Sequence, residues 1–475
     1  MGFSDYEAHD GVGLAELVSR REVSAGELLD EAVDRMEAVN PALNAVVIPM
    51  VEEAKATLEA GLPEGPLRGV PFLLKDLAVL YAGVPTTHGC GLFADSVPDH
   101  DSELVRRYKQ AGLVIFGKSA SPEFGLTTTT ESTLFGQTRN PWNLEHVAGG
   151  SSGGAAAAVA AGILPVAHAS DGGGSIRIPA ACCGLFGLKP SRGRMPFGPD
   201  VGEGWSGMST MHAVSRSIRD SAVLLDASDG ADLGAPYPAP PKARPYAEEV
   251  DREPEALRIG LLGETFNGLP THPDCRRAVE DAGKLCESLG HRVEEAQLSI
   301  DSQAIAAASQ AIMGGNVTSL LDDRAAALGR ELREDDVEPF TWLTVQSARE
   351  KSAADYARAI RGIHAIGRTV EGFLQNFDII LTPTMGAPPE KLGVPALSNP
   401  DLPQLVTALL TSVGYTQVFN ASGHPAMSVP LCWNDAGLPI GIQLAARLGG
   451  EDTLFRLAGQ LERARPWAAR RPPAP

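Results

Sequence analysis

Apolar positions in the first part of the chain follow two different periods. The first 60 residues favour helices: a capping box at Ser24–Glu27 precedes apolar positions at helical spacing, and Asn40–Pro41 should end that helix. Gly69–Leu80 is a largely apolar run that contains Lys75, which is the pattern of a buried strand. Residues 102–111 predict a helix and Leu113–Phe116 a second buried strand. Helices that alternate with short apolar strands indicate an α/β protein with a covered sheet.

The second part of the chain continues this alternation after an irregular connection. Residues 229–257 contain six prolines, so we expect a surface excursion rather than a packed element. The tail 463–475 is rich in Pro and Arg and should fray. We expect one domain over residues 1–475, because strands on both sides of the connection can join one sheet. The other predicted elements are helices at 214–227, 274–289 and along 301–375, and strands at 257–262, 378–383, 426–430 and 440–445.

Composition narrows the possible partners. The net charge of −19 disfavours nucleic acids and anionic membranes, which select clustered Lys and Arg. We find no basic and then apolar leader segment and no apolar run long enough to span a membrane. The six cysteines do not indicate a disulfide framework, and no Cys/His spacing is typical of a zinc site. The cysteines therefore favour a cytoplasmic protein. We also expect either a monomer or a homodimer.

Two glycine loops that each contain serine stand out from this pattern. Gly149–Gly154 reads Gly-Gly-Ser-Ser-Gly-Gly, and Asp171–Pro179 reads Asp-Gly-Gly-Gly-Ser-Ile-Arg-Ile-Pro. Ala155–Gly162 lies between them and predicts an Ala-rich helix closed by glycine. Glycine at this density is costly in a core, because each glycine loses backbone entropy and packs no side chain. Backbone N–H groups around a hydroxyl are what acyl transfer needs for a nucleophile and an oxyanion hole.

Other interpretations of the serine loops fit less well. The Gly-x-Ser-x-Gly pattern occurs around Ser151 and Ser152, but residues 139–148 before it predict a loop, whereas a nucleophile elbow follows a strand. No Ser-x-x-Lys motif is present. Gly112–Ser119 matches the P-loop string, yet its middle residues form a predicted strand instead of a phosphate-binding loop. A flexible linker would not continue into an Ala-rich helix and a second glycine loop.

Together these blocks resemble the signature of the amidase signature family. The two loops, the Ala-rich helix and the following Gly184–Pro190 carry the most specific part of the resemblance. Gly69–Asp76 is similar to the lysine strand of the family, and the resemblance extends over about residues 10–462. It implies the amidase signature fold: one large mixed β-sheet covered by helices on both faces. Further similar blocks are Asn140–Asn143, Asp378–Thr384, Asn420–Ala426 and Gly437–Gln443.

The resemblance implies a Ser-cisSer-Lys catalytic triad. By position in the motifs, Ser175 is the nucleophile, Ser151 is a bridging serine that follows a cis peptide bond from Gly150, and Lys75 is the base. A lysine can accept a proton only when it is neutral, and the apolar run around Lys75 should lower its pKa by desolvation. Ser151 would pass the proton from Ser175 to Lys75 and later return it to the leaving nitrogen.

The resemblance also implies an oxyanion hole and supporting residues. The hole would consist of the backbone N–H groups of Gly172, Gly173, Gly174 and Ser175, and such fixed donors stabilise a tetrahedral oxyanion.

Supporting residues flank these loops. We expect Asp171 and Arg177 to brace the second loop through their opposite charges, and Ser152 to hydrogen-bond the base. No role is expected for His168 or His212. Cys182 and Cys183 should be small core residues.

The implied activity is hydrolysis of carboxamide C–N bonds through an acyl-enzyme, without a metal or an organic cofactor. The second loop and the stretch Gly198–Thr210, which contains Trp205, resemble the branch of the family that includes 6-aminohexanoate-cyclic-dimer hydrolase. We expect a small to medium uncharged aliphatic, cyclic or aryl amide as substrate, and carbamates are further candidates. The walls of the pocket should come from segments near 126–134, 197–212 and 301–350.

Two positions depart from the commonest family pattern. Gly172 stands where many members have Thr, and Ala148 stands where many have Pro. Neither change removes a triad residue or a backbone donor. Two alternatives remain open: the A subunit of a tRNA-dependent amidotransferase, which releases ammonia from glutamine or asparagine within a complex, and a non-catalytic binding protein of amidase fold.

Overall fold

The computed structural model describes residues 5–473 as an α/β fold. Its α-helices are α1 (Gly11–Ser19), α2 (Ala25–Leu43), α3 (Val51–Ala60), α4 (Glu103–Gln110), α5 (Gly153–Ala160), α6 (Arg177–Cys183), α7 (Ile218–Ser228), α8 (Pro273–Ser288), α9 (Ser302–Ala308), α10 (Gly314–Ala327), α11 (Pro339–Arg349), α12 (Ala353–Phe373), α13 (Leu402–Val413), α14 (Gln417–Ser422) and α15 (Glu451–Ala464). Its strands are β1 (Val46–Pro49), β2 (Pro71–Lys75), β3 (Val114–Ser119), β4 (Glu131–Ser132), β5 (Gly136–Gln137), β6 (Arg139–Asn140), β7 (Asn143–Val147), β8 (Val166–Asp171), β9 (Phe186–Lys189), β10 (Thr210–Ser215), β11 (Arg258–Leu261), β12 (Arg292–Glu295), β13 (Ile379–Pro383), β14 (Ala426–Trp433) and β15 (Pro439–Ala446). Short 3-10 turns lie at Tyr6–Ala8, Gly91–Phe93, Glu123–Gly125, Tyr246–Glu248 and Glu334–Asp336, and a π-helical turn at Ser309–Met313 joins α9 to α10.

The largest sheet has eight strands in the order β12-β11-β13-β15-β14-β9-β10-β8. The strand β11 runs parallel to β12 and β13, and the other neighbours are antiparallel. A three-stranded sheet of order β1-β3-β2 lies beside it, with β2 against β8. The predicted large mixed sheet is thus confirmed, and the strand that ends at Lys75 belongs to the smaller sheet.

Successive side chains of the central strand β13 pack on opposite faces of the large sheet. Ile379 and Leu381 belong to the same buried cluster as the inner residues of α8, whereas Ile380 packs with buried residues of α12 and α14. This two-residue period is what a strand buried on both faces requires. Helices therefore cover both faces of the sheet, as the sequence predicted.

Three local predictions from the sequence are wrong. The helix α2 does not end at Pro41 but continues to Leu43, because Asn44 closes it in a left-handed conformation and donates its N–H to Asn40 O. The segment 210–215 is a strand, and α7 begins only at Ile218, after the Ser217 hydroxyl caps it. Residues 139–148 form the short β6–β7 hairpin instead of an open loop.

The proline-rich connection and the tail pack on the rest of the chain. Within residues 229–257, Tyr246 is buried and Lys242 pairs with Asp226 of α7. After α15, the Trp467 side chain is buried and its indole N–H donates to Arg216 O at 2.9 Å. Parts of the connection and of the tail are therefore packed, although their composition predicted an unpacked connection and a frayed tail. Residues 474–475 of the tail lie outside the described residues.

Two further features bear on the predictions from sequence. The P-loop string lies in β3, where the buried Lys118 ammonium donates to Pro85 O at 2.6 Å, so it forms no phosphate-binding loop. The continuous helix Ser302–Ala327 is long and apolar enough, by length and composition, to cross a membrane. Ile305, Ile312 and Leu321 of this helix are buried against neighbouring elements.

Candidate active site

The last residue of β2, Lys75, has its ammonium group at the centre of a buried polar cluster. Its Nζ lies 2.6 Å from Ser151 Oγ and 3.0 Å from Ser170 Oγ. The Lys75 side chain is fully buried. Burial lowers the pKa of Lys75 to about 7, and the opposing attraction of Asp171 only partly offsets this. A substantial fraction of Lys75 is therefore neutral at physiological pH.

Ser151 is held in a tight turn that precedes α5. The Gly150–Ser151 peptide bond is cis. Thr130 forms hydrogen bonds to residues on both sides of Ser151: its hydroxyl donates to Gly149 O at 3.0 Å and accepts from the Gly153 N–H at 2.9 Å. A side chain at Gly150 would overlap the backbone of Thr129, so glycine is required there. Close contact with the backbone of Thr129 thus explains Gly150, and close contact with the Thr130 side chain explains Gly153.

The expected hydrogen bond between Ser152 and Lys75 does not form. The Ser152 hydroxyl instead donates to Ser170 O at 3.2 Å and accepts from the Ser170 N–H at 3.3 Å. Ser170, which the sequence did not single out, supplies the second hydroxyl beside Lys75. Ser152 therefore braces a neighbour of the lysine and has no direct contact with its ammonium group.

Ser175 ends the second glycine loop, between β8 and α6. It is half-buried and lines a cavity together with Gly125, and a Cβ at Gly125 would lie 2.9 Å from Ser151 Oγ. Within residues 5–473, no hydrogen bond connects the Ser175 and Ser151 hydroxyls. Hydrogen bonds between catalytic groups are often long before substrate binds. The structure thus joins Lys75 to Ser151 directly and places Ser175 on the nearby cavity wall.

The four backbone N–H groups of Gly172, Gly173, Gly174 and Ser175 donate to no acceptor in the described chain. Unpaired backbone N–H groups are rare inside proteins, since each costs free energy comparable to a lost hydrogen bond. These four successive N–H groups, the last of which belongs to Ser175 itself, are therefore available to an oxygen atom that carries negative charge.

A buried ion pair fixes the start of this loop to α6. Arg177 donates from Nε and one Nη to the two carboxylate oxygens of Asp171, both at 2.9 Å, and both side chains are fully buried. Its remaining N–H groups reach Gln443 Oε1 at 2.7 Å and Asn420 Oδ1 at 2.7 Å. Burial would raise the pKa of Asp171, but Arg177 and Asn420 lower it to about 2. The bracing predicted for Asp171 and Arg177 is present.

His168 lies directly behind the lysine. Its Nδ1 accepts the backbone N–H of Lys75 at 3.2 Å, and its Nε2 has no hydrogen-bond partner in the described residues. Burial and the nearby Lys75 lower the pKa of His168 to about 3, so the ring is neutral. His168 therefore positions the backbone of Lys75 and stays outside proton exchange. His212 bonds Ser221 elsewhere, at 2.8 Å.

The cavity beside Ser175 has a volume of about 340 Å³. The predicted wall segments contribute Leu126–Thr128, Trp205, residues of 302–313 and Phe340. Two further parts of the wall were not predicted: Phe266–Asn267, and α13 with α14. Among the described residues that line it, none has a charged side chain. The apolar members include Ile178, Trp205, Phe266, Ile305, Met313, Phe340, Val406, Leu409, Leu410 and Val413.

Trp205 explains one departure from the family pattern. A side chain at Gly172 would overlap the Trp205 ring, so the indole occupies space that a Thr at 172 would need. Trp205 and Ser206 both have φ near +50°, a conformation that residues other than glycine seldom adopt. The Ser206 hydroxyl and Tyr356 OH, 2.7 Å apart, hold this turn. Glycine at 172 and tryptophan at 205 therefore form one steric unit in the wall.

Comparison with known proteins shows to which family this chain belongs. The sequence profile of the family described as Amidase matches residues 27–455. This chain belongs to the amidase family. The amidase is 38% identical over 475 residues to the 6-aminohexanoate-cyclic-dimer hydrolase of Pseudomonas sp. (strain NK87), covering 98% of this chain and 96% of that protein.

Solved structures give the same result. The amidase is similar to 6-aminohexanoate cyclic dimer hydrolase complexed with substrate, with a TM-score of 0.94 and 38% identity over 98% of this chain and 99% of that chain. It is also similar to a bacterial aryl acylamidase of the amidase signature family, with a TM-score of 0.88 and 28% identity over 97% of each chain. The amidase therefore has the amidase signature fold and is an amide-cleaving hydrolase.

Proposed function

We propose that this amidase hydrolyses uncharged carboxamides through an acyl-enzyme on Ser175. The observation that carries the proposal is the contact of 2.6 Å between the buried Lys75 Nζ and Ser151 Oγ, beside a loop of unpaired N–H groups that ends in Ser175. A hydroxyl becomes a nucleophile at neutral pH only with a base to take its proton, and a neutral buried lysine can serve as that base.

In the acylation step, Ser175 Oγ attacks the carbonyl carbon of the substrate. Its proton passes to Ser151, while the proton of Ser151 passes to the neutral amine of Lys75. The negative carbonyl oxygen is stabilised by N–H groups of the loop Gly172–Ser175. The tetrahedral intermediate then collapses, the C–N bond breaks, and the proton returns from Lys75 through Ser151 to the leaving nitrogen.

Deacylation repeats this sequence with water as the nucleophile. Water gives a proton to Lys75 through Ser151 and attacks the acyl carbon, and the oxyanion again lies among the N–H groups of the loop. Collapse of the second intermediate breaks the bond to Ser175 Oγ, which recovers a proton. The net products are a carboxylic acid and an amine, and these steps need only Ser175, Ser151, Lys75 and the loop.

The cavity supports a neutral substrate with apolar groups next to the reacting amide. A charged substrate would lose its hydration there without gaining a charged partner, because the wall has apolar and uncharged polar side chains. Two relatives are a 6-aminohexanoate-cyclic-dimer hydrolase and an aryl acylamidase. We propose aliphatic, cyclic or aryl amides for this chain. Carbamates are further candidates, because they undergo the same addition to a carbonyl.

The two alternatives receive less support. An amidotransferase A subunit takes the amide of glutamine or asparagine, whose α-ammonium and α-carboxylate groups would enter a cavity without charged side chains. A non-catalytic protein would have no need for a lysine whose pKa is lowered to about 7 beside two hydroxyls.

The test combines active-site labelling with a substrate screen. A fluorophosphonate should label the peptide that contains Ser175 in mass spectrometry, and Ser175→Ala should abolish both labelling and turnover. Ser228→Ala is the matched control, because that buried hydroxyl bonds Leu224 O inside α7 and should retain both. Near-normal turnover by Ser175→Ala would refute the nucleophile. Release of ammonia from glutamine without hydrolysis of other amides would favour the amidotransferase subunit.

A further inference from the structure

Thr416 lies next to the second glycine loop although it is far from it in the sequence. Its side chain is fully buried, and its hydroxyl donates to Gly173 O at 2.7 Å. Its own carbonyl accepts an N–H of Arg177 at 2.9 Å, so the residue that touches the loop is itself held by the Asp171–Arg177 ion pair.

Thr416 stands where a helix-capping role would be expected, but its contacts do not support that role. Thr416 stands at the N-cap of α14, where a threonine hydroxyl ordinarily accepts a backbone N–H of the first turn. No side-chain cap bond forms at this helix. The hydroxyl is instead directed at the glycine loop, and a Cβ at Gly174 would lie only 2.5 Å from Thr416 Oγ1. The absence of a side chain at 174 is what allows this approach.

Anchoring Gly173 O determines where the Gly174 N–H points. The 173–174 peptide bond is trans, and in a planar trans peptide the C=O and the next N–H point in opposite directions. A hydrogen bond that fixes the carbonyl toward Thr416 therefore directs the Gly174 N–H away from Thr416. That N–H is one of the four without an acceptor, and an added Cβ at Gly173 would meet no atom within 4 Å, so the loop borders open space there.

The loop has few other restraints. Its three glycines have no side chains to pack, and its N–H groups form no internal ladder. Its carbonyl contacts are Asp171 O with Asn420 Nδ2 at 3.0 Å, Gly173 O with Thr416, and Gly174 O with the Ile178 N–H at 2.7 Å. Preorganised donors are effective because they need no reorganisation during the reaction, so a peptide plane that is free to rotate would lose that advantage.

We propose that the Thr416 hydroxyl is a positioning group that aims the Gly174 N–H at the oxyanion. The proposal rests on the proposed function, since it assigns Thr416 a role in the step that forms negative charge on the substrate. Thr416 does not line the cavity, and within the described residues its hydroxyl has no hydrogen bond to Ser175, Ser151 or Lys75, so it acts through one peptide plane. Its contribution should therefore appear in the transition state and not in the binding of the ground state.

The experiment uses a pair of variants of nearly the same shape. Thr416→Val removes the hydroxyl and should lower kcat by about 10- to 100-fold, below the 10²- to 10³-fold typical for outright loss of a donor, with KM changed by less than about threefold. Thr416→Ser keeps the hydroxyl and should stay within about threefold of the parent enzyme. Thr384→Val is the control, because this buried hydroxyl bonds Ser428 Oγ at 2.9 Å instead of the loop, and its kcat should be retained.

A second measurement separates positioning from a general loss of structure. An aldehyde or trifluoromethyl ketone analogue of the best substrate forms an oxyanion on the enzyme, and its affinity for Thr416→Val should fall in parallel with kcat. Unchanged kcat in Thr416→Val, an equal loss of kcat in Thr416→Ser, or an effect of Thr416→Val on KM alone would overturn the inference.

The labelling experiment distinguishes failure of this inference from failure of the proposed function. If the parent enzyme fails to react with a fluorophosphonate at Ser175, both the proposed function and the role of Thr416 fail. If the parent reacts and turns over normally while Thr416→Val matches it, only the role of Thr416 fails.

Discussion

Burial determines the chemistry available to Lys75. The residue lies at the end of a strand whose other side chains are also buried, so its ammonium group has lost its hydration and keeps two hydroxyls as neighbours. Desolvation disfavours the charged form of a lysine, which is why the pKa falls to about 7 despite the nearby carboxylate of Asp171. A lysine on the surface would stay protonated and could not accept a proton from Ser151.

This gives a pH dependence with a definite sign. Because the base is the neutral form, kcat/KM should rise with pH through about 7 and become constant above it. The measurement is kcat/KM for one neutral amide between pH 5.5 and 9, with Lys75→Ala expected to be nearly inactive.

A second buried lysine provides the control for that profile. Burial and the nearby Arg177 also lower the pKa of Lys189 to about 7, but its Nζ donates to Pro190 O at 2.9 Å and has no contact with Ser151. Lys189→Met should therefore retain the rise of kcat/KM with pH near pH 7. Loss of that rise in Lys189→Met, or a profile of the parent enzyme that is flat across pH 7, contradicts the assignment of Lys75 as the base.

At the scale of elements, α13 forms one side of the cavity. Val406 and Leu410 line the cavity while 39% and 42% of their surfaces stay exposed. An apolar surface thus continues from the region of Ser175 to the outside of the molecule. We therefore expect a substrate with a long aliphatic chain to bury its distal methylene groups against this helix, and a short amide to leave the helix uncovered.

Substitution on α13 should therefore change chain-length preference. Leu410→Asn should lower kcat/KM for long aliphatic amides by about tenfold, since loss of about 60 Å² of apolar contact corresponds to about 1.5 kcal/mol. Short amides such as propionamide should be unaffected. Leu328→Asn is the matched control, because Leu328 is also 42% exposed but does not line the cavity. An equal loss for short and long amides would contradict the proposed contact.

The sequence predicted the elements that carry the reaction better than those that shape the pocket. The lysine strand and the two glycine loops have local signals, because apolar runs and glycines around serine reflect constraints on the backbone itself. Ser170 had no such signal: it is an ordinary strand residue whose importance comes from β8 lying beside β2. The walls at Phe266–Asn267 and α13 were missed for the same reason, since only tertiary packing brings them to Ser175.

At the scale of the whole molecule, the site joins parts of the chain that are distant in sequence. The proposed base Lys75 belongs to the three-stranded sheet, and the proposed nucleophile Ser175 follows a strand of the eight-stranded sheet. Arg177 connects Asp171, at the end of that strand, to Asn420 and Gln443 near the end of the chain. The predicted mixed sheet provides this arrangement. The particular partners of Arg177 were not predictable, because they depend on the order of strands across the sheet.

Loss of one member of the buried Asp171–Arg177 ion pair should strongly destabilise the protein. Arg177→Met would leave a buried carboxylate without its partner, and removal of one member of such a pair typically costs about 3–5 kcal/mol. The free energy of unfolding from urea denaturation should fall by that amount. Arg349→Met is the control, because its pair with Asp322 is about half exposed, and exposed pairs contribute about 0–1 kcal/mol. A loss below about 1 kcal/mol for Arg177→Met would contradict the structural role.

The fit between Gly172 and Trp205 restricts the order in which such a wall can evolve. A chain with threonine at 172 has no room for the indole in this position, so glycine must be acquired before or together with the tryptophan. Once Trp205 is present, a return to threonine is blocked by the same overlap. The two residues therefore constrain each other: threonine at 172 is compatible only with a smaller residue at 205, and transfer of this wall to a relative requires that both residues move together.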